Sequence, residues 1–251
     1  MKQYEVVIEA LRRLGGCATF GQLNQEVFKI KDCEWKTKTP FASIRRIVQE
    51  RKEIFRIRPG VWALEESRKN LECEGIIEQN MSNFNSVSVQ EFNHSYYQGL
   101  LLYIGNLRHF GTYVPAQDKN KRCINTKLGD ISTLDAVPKF SYQEFVDRSR
   151  TIDVMWFQPN LLGSDIMMPK CMFEVEHSTD IQNSLCKFSD LQSFNANMYI
   201  VADEKRQREF HAKLGHDYFK PISNRVKFVS YKQLDKLYQG LLLQQKSTLV
   251  L

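Results

Sequence analysis

The distribution of apolar and polar residues in the second half of the chain predicts strands that alternate with helices. In residues 169–176, apolar residues alternate with Glu174 and Glu176, and the two-residue period of a strand places both carboxylates on one face. Apolar residues then recur at helical spacing in residues 181–191, and the apolar run 198–202 indicates another strand. A strand, a helix and a strand joined by such short links predict a right-handed crossover and a partly parallel sheet.

The first 70 residues show a different pattern, in which short elements follow one another closely. The predicted elements are a helix closed by Gly15 and Gly16, a strand at 18–20, helices at 21–28 and 39–51, and a hairpin of 54–58 and 61–64. The third helix has the clearest start, because Thr39 is a suitable cap and Pro40 suits the first helical position. Helix, strand, helix, helix and hairpin is the order of a winged helix-turn-helix.

These patterns divide the chain into two predicted domains. Residues 71–92 are rich in Asn, Ser and acidic residues, a composition typical of a linker with some local order. We therefore expect a first domain at 1–70 and a second at 93–251, which begins with a helix at 94–110 and a strand at 112–114. Further along, the predicted elements are helices at 205–214 and 231–243 and a strand at 226–229.

The composition fits ordinary globular domains, but the charge is unevenly placed. The chain has 251 residues, of which 42% are hydrophobic and 25% charged, and a formal net charge of +6. Residues 1–70 hold 15 Lys and Arg against 9 Asp and Glu, whereas the remaining residues hold 20 of each sign. The excess positive charge therefore lies in the first domain and favours attraction to phosphate, although a merely soluble domain is equally compatible with it.

Other classes of protein find little support in the sequence. The first residues contain no apolar run of signal-peptide or membrane-spanning length, so we expect a cytoplasmic protein without a membrane partner. The six cysteines have no CxxC pair or zinc-like spacing, and we interpret them as reduced thiols. A phosphate-binding glycine loop, a dinucleotide fingerprint and a Ser/His/Asp order are all missing from the sequence.

The candidate chemistry lies in three carboxylates. Asp153 is the only ionisable residue in the apolar run 152–157, and a carboxylate buried there must be paired or bound to a cation. If this strand neighbours the strand of Glu174 and Glu176, the three carboxylates converge, and hard oxygen ligands suit Mg²⁺ or Mn²⁺. The pattern predicts a metal-dependent hydrolase acting on a phosphodiester; a solvated strand face is the alternative explanation for the alternating acids.

This arrangement resembles a known nuclease core. An Asp on one strand, then an acidic residue, one spacer and a charged residue on the next, followed by a helix and a strand, is similar to the PD-(D/E)XK nuclease superfamily, to which most type II restriction endonucleases belong. The resemblance covers residues 93–235 and implies that Asp153 and Glu174 hold Mg²⁺, with Mn²⁺ as a substitute. Glu176 occupies the position usually held by Lys, where it is a base or a further ligand.

Three further residues are candidates beside these acids. Lys187 in the next helix and Lys170 just before the strand are candidates for the missing positive charge, and each is equally explained as a solvated lysine. In this superfamily the helix before the core sheet often carries a Glu or Gln near the metal, and Gln98 is the candidate for that catalytic role.

The run 38–64, KTPFASIRRIVQERKEIFRIRPGVWAL, resembles the HARE-type winged helix, a module attached to restriction enzymes and chromatin proteins. The resemblance implies binding to double-stranded DNA, and a protein–protein adaptor is the alternative. The residues expected to contact DNA are Lys36, Lys38, Ser43, Arg45, Arg46 and Gln49 at the third helix, Arg56 and Arg58 on the hairpin, and Lys119 and Lys121 in the basic loop of the second domain.

Together these features predict a fold of the α/β (α+β) class, with an N-terminal winged helix and a C-terminal restriction-endonuclease-like mixed sheet flanked by helices. The predicted function is sequence-specific, Mg²⁺-dependent cleavage of double-stranded DNA, as in type II restriction enzymes. A palindromic target calls for a homodimer. The alternatives are a DNA-binding regulator or defence adaptor whose nuclease core is degenerate, suggested by the absent Lys, and a nuclease for structured RNA.

Overall fold

The computed structural model describes residues 1–31, 33, 35, 39–80, 82–83 and 86–248, and the side chains of the last helix up to residue 244. The chain is divided into two compact units. The first comprises Met1–Phe92 together with the chain from Tyr238 onward, and the second comprises Asn93–Leu237. The stretch interpreted as a linker and the end of the last helix are thus grouped with the first unit.

The first unit combines helices with a small antiparallel sheet. Its elements are α1 (Gln3–Arg13), β1 (Cys17–Thr19), α2 (Phe20–Val27), α3 (Pro40–Glu50), β2 (Ile54–Arg58), β3 (Val61–Leu64) and α4 (Arg68–Cys73). The strands lie in the order β1-β3-β2. The elements up to β3 occur in the predicted order, and their apolar faces form one core that includes Val6, Leu11, Leu23, Ile44 and Val48.

Local sequence explains where these elements begin and turn. Thr19 caps α2, since its hydroxyl accepts a hydrogen bond from the Gln22 amide while the Gln22 side chain accepts one from the Thr19 amide. Pro40 occupies the start of α3, as predicted. Between β2 and β3 the chain turns at Gly60, whose φ of +83° is a conformation that favours glycine.

The second unit is built around a larger sheet. The elements from here to the chain end are α5 (Val87–Leu107), β4 (Gly111–Tyr113), β5 (Arg122–Cys123), β6 (Thr126–Lys127), α6 (Leu128–Ile131), α7 (Gln143–Ser149), β7 (Val154–Asn160), β8 (Gly163–Glu176), α8 (Ile181–Asp190), β9 (Asn197–Ala202), α9 (Gln207–Leu214), β10 (Val226–Ser230) and α10 (Tyr231–Thr248). The boundary between the units falls within α5 and again within α10. None of the described helices is long and apolar enough to cross a membrane.

The sheet of the second unit is mixed, as predicted. Its order is β10-β9-β8-β7-β4, in which β8, β9 and β10 pair in parallel and β7 pairs antiparallel with both β8 and β4. The parallel pairs are joined through α8 and α9, as the strand-helix-strand pattern indicated. The α/β class with a mixed sheet flanked by helices is therefore confirmed.

Helices cover both faces of this sheet. On one face, Leu185 and Phe188 of α8 pack into a core with Met172 of β8 and Ile200 of β9. On the other face, α5 lies very close to the strands at Gly105, where a Cβ atom would be 2.5 Å from Cγ2 of Thr112. Helices thus pack against both faces of the sheet.

Two boundaries differ from the predicted ones in ways that affect the site. The helix predicted at 94–110 begins at Val87, so that part of the supposed linker is helical. Asp153 was expected within a strand but precedes β7, whose first backbone pair is Val154 with Phe173. The reason is local, because Oδ2 of Asp153 accepts a hydrogen bond from the Val175 amide at 2.8 Å, so that the side chain extends the contact between the strands.

Candidate active site

Two buried glutamates lie at the carboxyl end of β8. Glu174 and Glu176 are 2% and 4% exposed, and the hydroxyl of Ser184 on α8 lies within hydrogen-bonding reach of both carboxylates, donating its one hydrogen to either of them. The Ser184 Oγ atom is 3.0 Å from Oε2 of Glu174. A second hydroxyl, that of Thr179, also contacts Glu176. The shared serine shows that the two carboxylates face the same way, as the alternation along the strand predicted.

Lys187 brings a positive charge to Glu174. Its Nζ atom is 2.8 Å from Oε2 of Glu174 and 2.9 Å from the carbonyl oxygen of Thr151. Ser184 and Lys187 are three residues apart on α8, so one face of the helix supplies both donors. Of the two lysines singled out in the sequence, Lys187 is at the carboxylates, whereas Lys170 lines a separate cleft of the same unit.

The charges around this pair shift the protonation of both partners. Burial and the negative charge of Asp153 raise the pKa of Glu174 well above its usual range, although Lys187 opposes the shift. Burial disfavours the charged form of Lys187, but Glu174 and, with smaller effect, Asp153 raise its pKa above the ordinary value. Asp153, Glu174 and Lys187 therefore influence one another's ionisation, and burial strengthens the effect.

Asp153 is fixed by two donors. Besides the Val175 amide, Oδ2 of Asp153 lies 3.2 Å from Nε2 of His94 on α5. Burial would raise the pKa of Asp153, but His94 and the amide lower it below the usual range. The pKa of His94 is raised, because Asp153 outweighs the effect of burial. Asp153 is thus held in its charged form, whereas Glu174 resists ionisation.

Gln98 lies one helical turn beyond His94 and connects Asp153 to a second acid. Its side chain is completely buried, and Nε2 donates to Oδ2 of Asp118 at 2.9 Å and to the backbone carbonyl of Asp153 at 3.3 Å. Asp118 in turn pairs with Lys121 at 2.6 Å. The amide of Gln98 therefore positions the segment that carries Asp153, and the basic loop is attached to the site through Asp118.

His94 is a contributor that sequence reasoning missed. The histidines of the chain are not spaced like a set of metal ligands, and the sequence alone therefore does not predict that His94 lies at the site. The signal that would have found it is the four-residue spacing to Gln98, which puts both side chains on one face of α5. Sequence alone does not show which face of the helix meets Asp153.

The residues present fit a small divalent cation held by two carboxylates. Oε1 of Glu174 and Oε1 of Gln98 are buried and have no hydrogen-bond partner in the described part of the chain. No group of three or more His, Cys, Asp or Glu suited to a metal occurs among the described residues, and Glu176 is instead held by hydroxyls. Mg²⁺ commonly takes one or two carboxylates and completes its shell with water and substrate oxygens, so Asp153 and Glu174 suffice in number.

In the first unit, most of the residues expected to bind DNA are on the surface. Arg45, Arg46 and Gln49 of α3 are exposed, as is Arg56 of β2, and Ser43 is half-buried. Arg45, Gln49 and Arg56 line one cleft of about 200 Å³ with Trp62. The guanidinium of Arg45 lies 5.2 Å from the centre of the Phe20 ring. Lys36 and Lys38 lie outside the described residues.

Arg58 differs from this expectation. It is only 4% exposed, whereas Arg56, two positions earlier, faces solvent. The cause is an irregularity of the pairing between β2 and β3 at residues 56–58, which breaks the alternation that would have put both arginines on one face. Arg58 is therefore part of the interior of the fold in this structure.

The two lysines of the basic loop are already engaged. Lys119 donates to the backbone carbonyl of Asp135 at 2.9 Å, and Lys121 pairs with the buried Asp118. Both remain partly exposed, at 30% and 45%. Lys121 is connected to the backbone of Asp153 through Asp118 and Gln98.

Comparison with protein-family models shows which family the second half of the chain resembles. A family model described as the type II restriction enzyme NmeDI C-terminal domain matches residues 76–249, which is more than half of the chain. The matched region contains Asp153, Glu174, Lys187 and all the other residues of the acidic site. Comparisons with curated proteins and with solved structures gave no match.

Proposed function

The chain belongs to the family of the type II restriction enzyme NmeDI C-terminal domain, and we propose that it is a restriction endonuclease that hydrolyses phosphodiester bonds of double-stranded DNA with Mg²⁺. Its catalytic centre is the cluster at the end of β8, and its core is a variant of the PD-(D/E)XK type. Asp153 and Glu174 are the two acids of that motif, and Glu176 stands where the lysine usually is.

The observation that carries this proposal is the contact between Lys187 and Glu174. A lysine from α8 supplies the charge that position 176 lacks, at 2.8 Å from the second acid of the motif. One oxygen of Glu174 is thus paired with a cation, and the other is buried without a partner. A buried carboxylate oxygen without a partner is costly in a purely structural role and is expected where a ligand completes the site.

Asp153 and Glu174 would hold the metal, with Mn²⁺ as a substitute for Mg²⁺. When bound, the cation supplies Lewis-acid polarisation of a phosphoryl oxygen and lowers the pKa of a bound water. The chain contributes a carboxylate pair of unequal basicity, because the pKa of Asp153 is lowered and that of Glu174 is raised. The neutral hydroxyl of Ser184 keeps Glu174 oriented without adding charge.

The remaining side chains position these groups. Lys187 holds its proton and offers positive charge to the phosphate oxygens on which negative charge builds up. His94 and Gln98 fix the side chain and the backbone of Asp153, respectively. Glu176 is restrained by the hydroxyls of Ser184 and Thr179, and its place beside Glu174 suits a base for the attacking water.

The first unit serves to bind DNA in this proposal. Its helices α1 to α3 and its small antiparallel sheet follow the order of a winged helix, with α3 as the helix that enters a groove and the β2–β3 hairpin as the wing. The exposed Arg45, Arg46, Gln49 and Arg56 supply the contacts to phosphate and bases. A homodimer would let two such centres meet the two strands of a palindromic site.

The test is cleavage of unmodified and methylated plasmid DNA by the wild-type protein and by Glu174→Ala, with and without Mg²⁺. We expect discrete fragments that require Mg²⁺ and the wild-type glutamate. Intact plasmid in every reaction, together with binding of duplex DNA by both proteins, would instead support the second candidate. That candidate is a DNA-binding regulator with a degenerate core, favoured by the glutamate at position 176.

A further inference from the structure

A second cleft in the nuclease unit combines aromatic rings with unpaired polar groups. It lies on the sheet between α5 and α10 and encloses about 300 Å³, the lower end of the range for small-molecule pockets. The residues that matter for its chemistry are Trp156, Phe173, Tyr199, Arg108, Lys170 and Asn197. Phe110, which stacks on Trp156 at 5.4 Å, Cys171 and several leucine and valine side chains form the rest of its lining.

The aromatic residues form a continuous row across three neighbouring strands. The rings of Trp156 and Phe173 are 4.5 Å apart between centroids, and Phe173 stacks on Tyr199 at 5.0 Å with only 14° between the ring planes. The indole N–H of Trp156 donates to the Leu101 carbonyl at 3.0 Å, which fixes the ring at the bottom of the cleft. Trp156 and Phe173 are each only 4% exposed, whereas Tyr199 at the end of the row is half-buried, so a flat aromatic group would stack on the ring of Tyr199, which the row holds rigid.

Four polar side chains of this cleft form no hydrogen bond or ion pair within the part of the chain that the structure describes. They are those of Arg108, Lys170, Asn197 and Tyr199. Lone surface lysines usually interact only with water, but Lys170 and Arg108 line the same cleft and both act on the thiol of Cys171, whose pKa burial raises to about 11 although the two cations oppose the rise. An anion between them would meet two positive charges at once.

We infer that this cleft binds a nucleotide, with the base against the aromatic row and the phosphate between Arg108 and Lys170. The carboxamide of Asn197 has a donor and an acceptor side by side, which matches the edge of a base such as adenine. The lining of the cleft suits an aromatic anion of any kind. The choice of a nucleotide among such anions rests on the proposed function. The nucleotide in the cleft is either a free mononucleotide or an unstacked nucleotide of a DNA strand.

The cleft is distinct from the candidate active site. Phe173 and Glu174 are consecutive residues of β8, so their side chains point to opposite faces of the sheet. Phe173 belongs to the cleft, and Glu174 belongs to the carboxylate cluster. A nucleotide in the cleft is therefore held by the enzyme and is not the one being hydrolysed.

The experiment uses the full-length Glu174→Ala protein in EDTA, so that no cleavage is needed for a result. Deoxynucleoside monophosphates are titrated calorimetrically into this protein and into the same protein carrying Arg108→Ala and Lys170→Ala. The matched control carries Lys139→Ala and Arg208→Ala, which remove the same charge from exposed positions outside the cleft. We expect the Arg108/Lys170 variant to raise the dissociation constant about tenfold or more and the control to leave it unchanged.

A second arm separates the two sources of nucleotide. Duplex DNA with 2-aminopurine at single positions reports unstacking by its fluorescence, and a signal that the Arg108/Lys170 variant loses places a DNA nucleotide in the cleft. Binding of the free nucleotide without such a signal assigns the cleft to mononucleotides.

Three results would overturn the inference: no nucleotide binding by folded protein, binding that the Arg108/Lys170 variant leaves unchanged, and a protein dimer that this variant dissociates while nucleotides do not bind. The outcome is independent of the proposed function. Cleavage without nucleotide binding removes only the inference, and nucleotide binding without cleavage removes only the proposed nuclease.

Discussion

The ammonium group of Lys187 lies 2.8 Å from Oε2 of Glu174, although the two residues are thirteen positions apart in sequence. The strand that carries the glutamate ends at Glu176, and the helix that carries the lysine begins at Ile181, so the short connection between them folds the lysine back onto the carboxylate. In the proposed mechanism, this cation from a helix takes the role that the strand position 176 leaves open.

We expect the free energy of unfolding of Glu174→Gln, relative to that of the wild type, to increase as the pH rises. The pKa of Glu174 is raised by burial and by Asp153, so ionising it in the folded state costs free energy that the unfolded state does not pay. The cost is absent below the unfolded pKa of about 4.3 and grows by about 1.4 kcal/mol per pH unit until the folded pKa is reached. Denaturant unfolding of wild type and Glu174→Gln in EDTA, from about pH 4 to pH 8, measures the difference.

Glu209→Gln is the control for that series. The pKa of Glu209 is lowered, first by its hydrogen bond with Arg206, so its ionised form stabilises the fold and the sign is reversed. The stability of Glu209→Gln relative to wild type should therefore fall or stay level over the same pH range. A parallel course of the two variants would contradict the assignment of a raised pKa to Glu174.

Divalent cations should stabilise the folded protein through Asp153. Mg²⁺ or Mn²⁺ at ten times its dissociation constant adds about 1.4 kcal/mol to the free energy of unfolding if it binds only the native state. The unfolding temperature of wild type should rise with added metal, and that of Asp153→Asn should not. Asp190→Asn is the matched control, because Asp190 pairs with Arg148 and its side chain is 42% exposed. An equal rise in all three proteins would show that the metal binds elsewhere.

His94 should act on the metal through Asp153. Loss of the contact between Nε2 of His94 and Oδ2 of Asp153 frees the carboxylate to rotate. Partners of metal ligands typically contribute about 10- to 100-fold in metal affinity or activity. We expect His94→Ala to raise the Mg²⁺ concentration for half-maximal cleavage in that range, with partial recovery in His94→Gln. His216→Ala, a change at an exposed helix end, should leave the Mg²⁺ dependence unaltered.

The exposed face of α3 should determine affinity for DNA. Arg46→Ala is expected to weaken binding to duplex DNA and to reduce the slope of log K against log salt by about one, because one phosphate contact is lost. Arg13→Ala is the control variant, because it also removes one positive charge, but from a residue of α1 that pairs with Glu9. Gel-shift titrations at several salt concentrations, in the Glu174→Ala background, give both slopes. Equal slopes for wild type and Arg46→Ala would remove α3 from the interface.

Arg58 is expected to behave differently from its neighbour on the hairpin. Because its side chain is buried, Arg58→Ala should lower the unfolding temperature, whereas Arg56→Ala should lower DNA affinity without loss of stability. Thermal unfolding and gel-shift titration of the two variants separate these effects. A DNA-binding defect in a fully stable Arg58→Ala protein would contradict the buried position.

The periodicity of the sequence predicts much of this fold, because the period itself is a property of strands and helices. The common face of Glu174 and Glu176, the helix that follows and the parallel strand after it all rest on spacings within a few residues. Gln98 was reached only through the resemblance to a nuclease family. Its contact with the backbone of Asp153 is a feature of the folded structure, across 55 positions of sequence.

Contacts between distant segments escape such reasoning. His94 and Asp153 are 59 positions apart, and local spacing does not fix which face of α5 meets the start of β7. Lys187 and Lys170 were equal candidates in the sequence, and only the packing of α8 on the sheet separates them. The burial of Arg58 depends on an irregular strand pair, and such an irregularity has no clear signature in a single sequence.

The role of Lys187 is tested most directly by the single-turnover rate of DNA cleavage at saturating Mg²⁺ for Lys187→Met beside Lys213→Met. Lys213 is also a helical lysine of this unit that pairs with acids, Asp180 and Glu209, but it does not contact Glu174. If Lys187 supplies the charge missing at position 176, Lys187→Met should cut about 100-fold more slowly or worse, and Lys213→Met should cut at the wild-type rate. Cleavage by Lys187→Met at the wild-type rate would contradict the account.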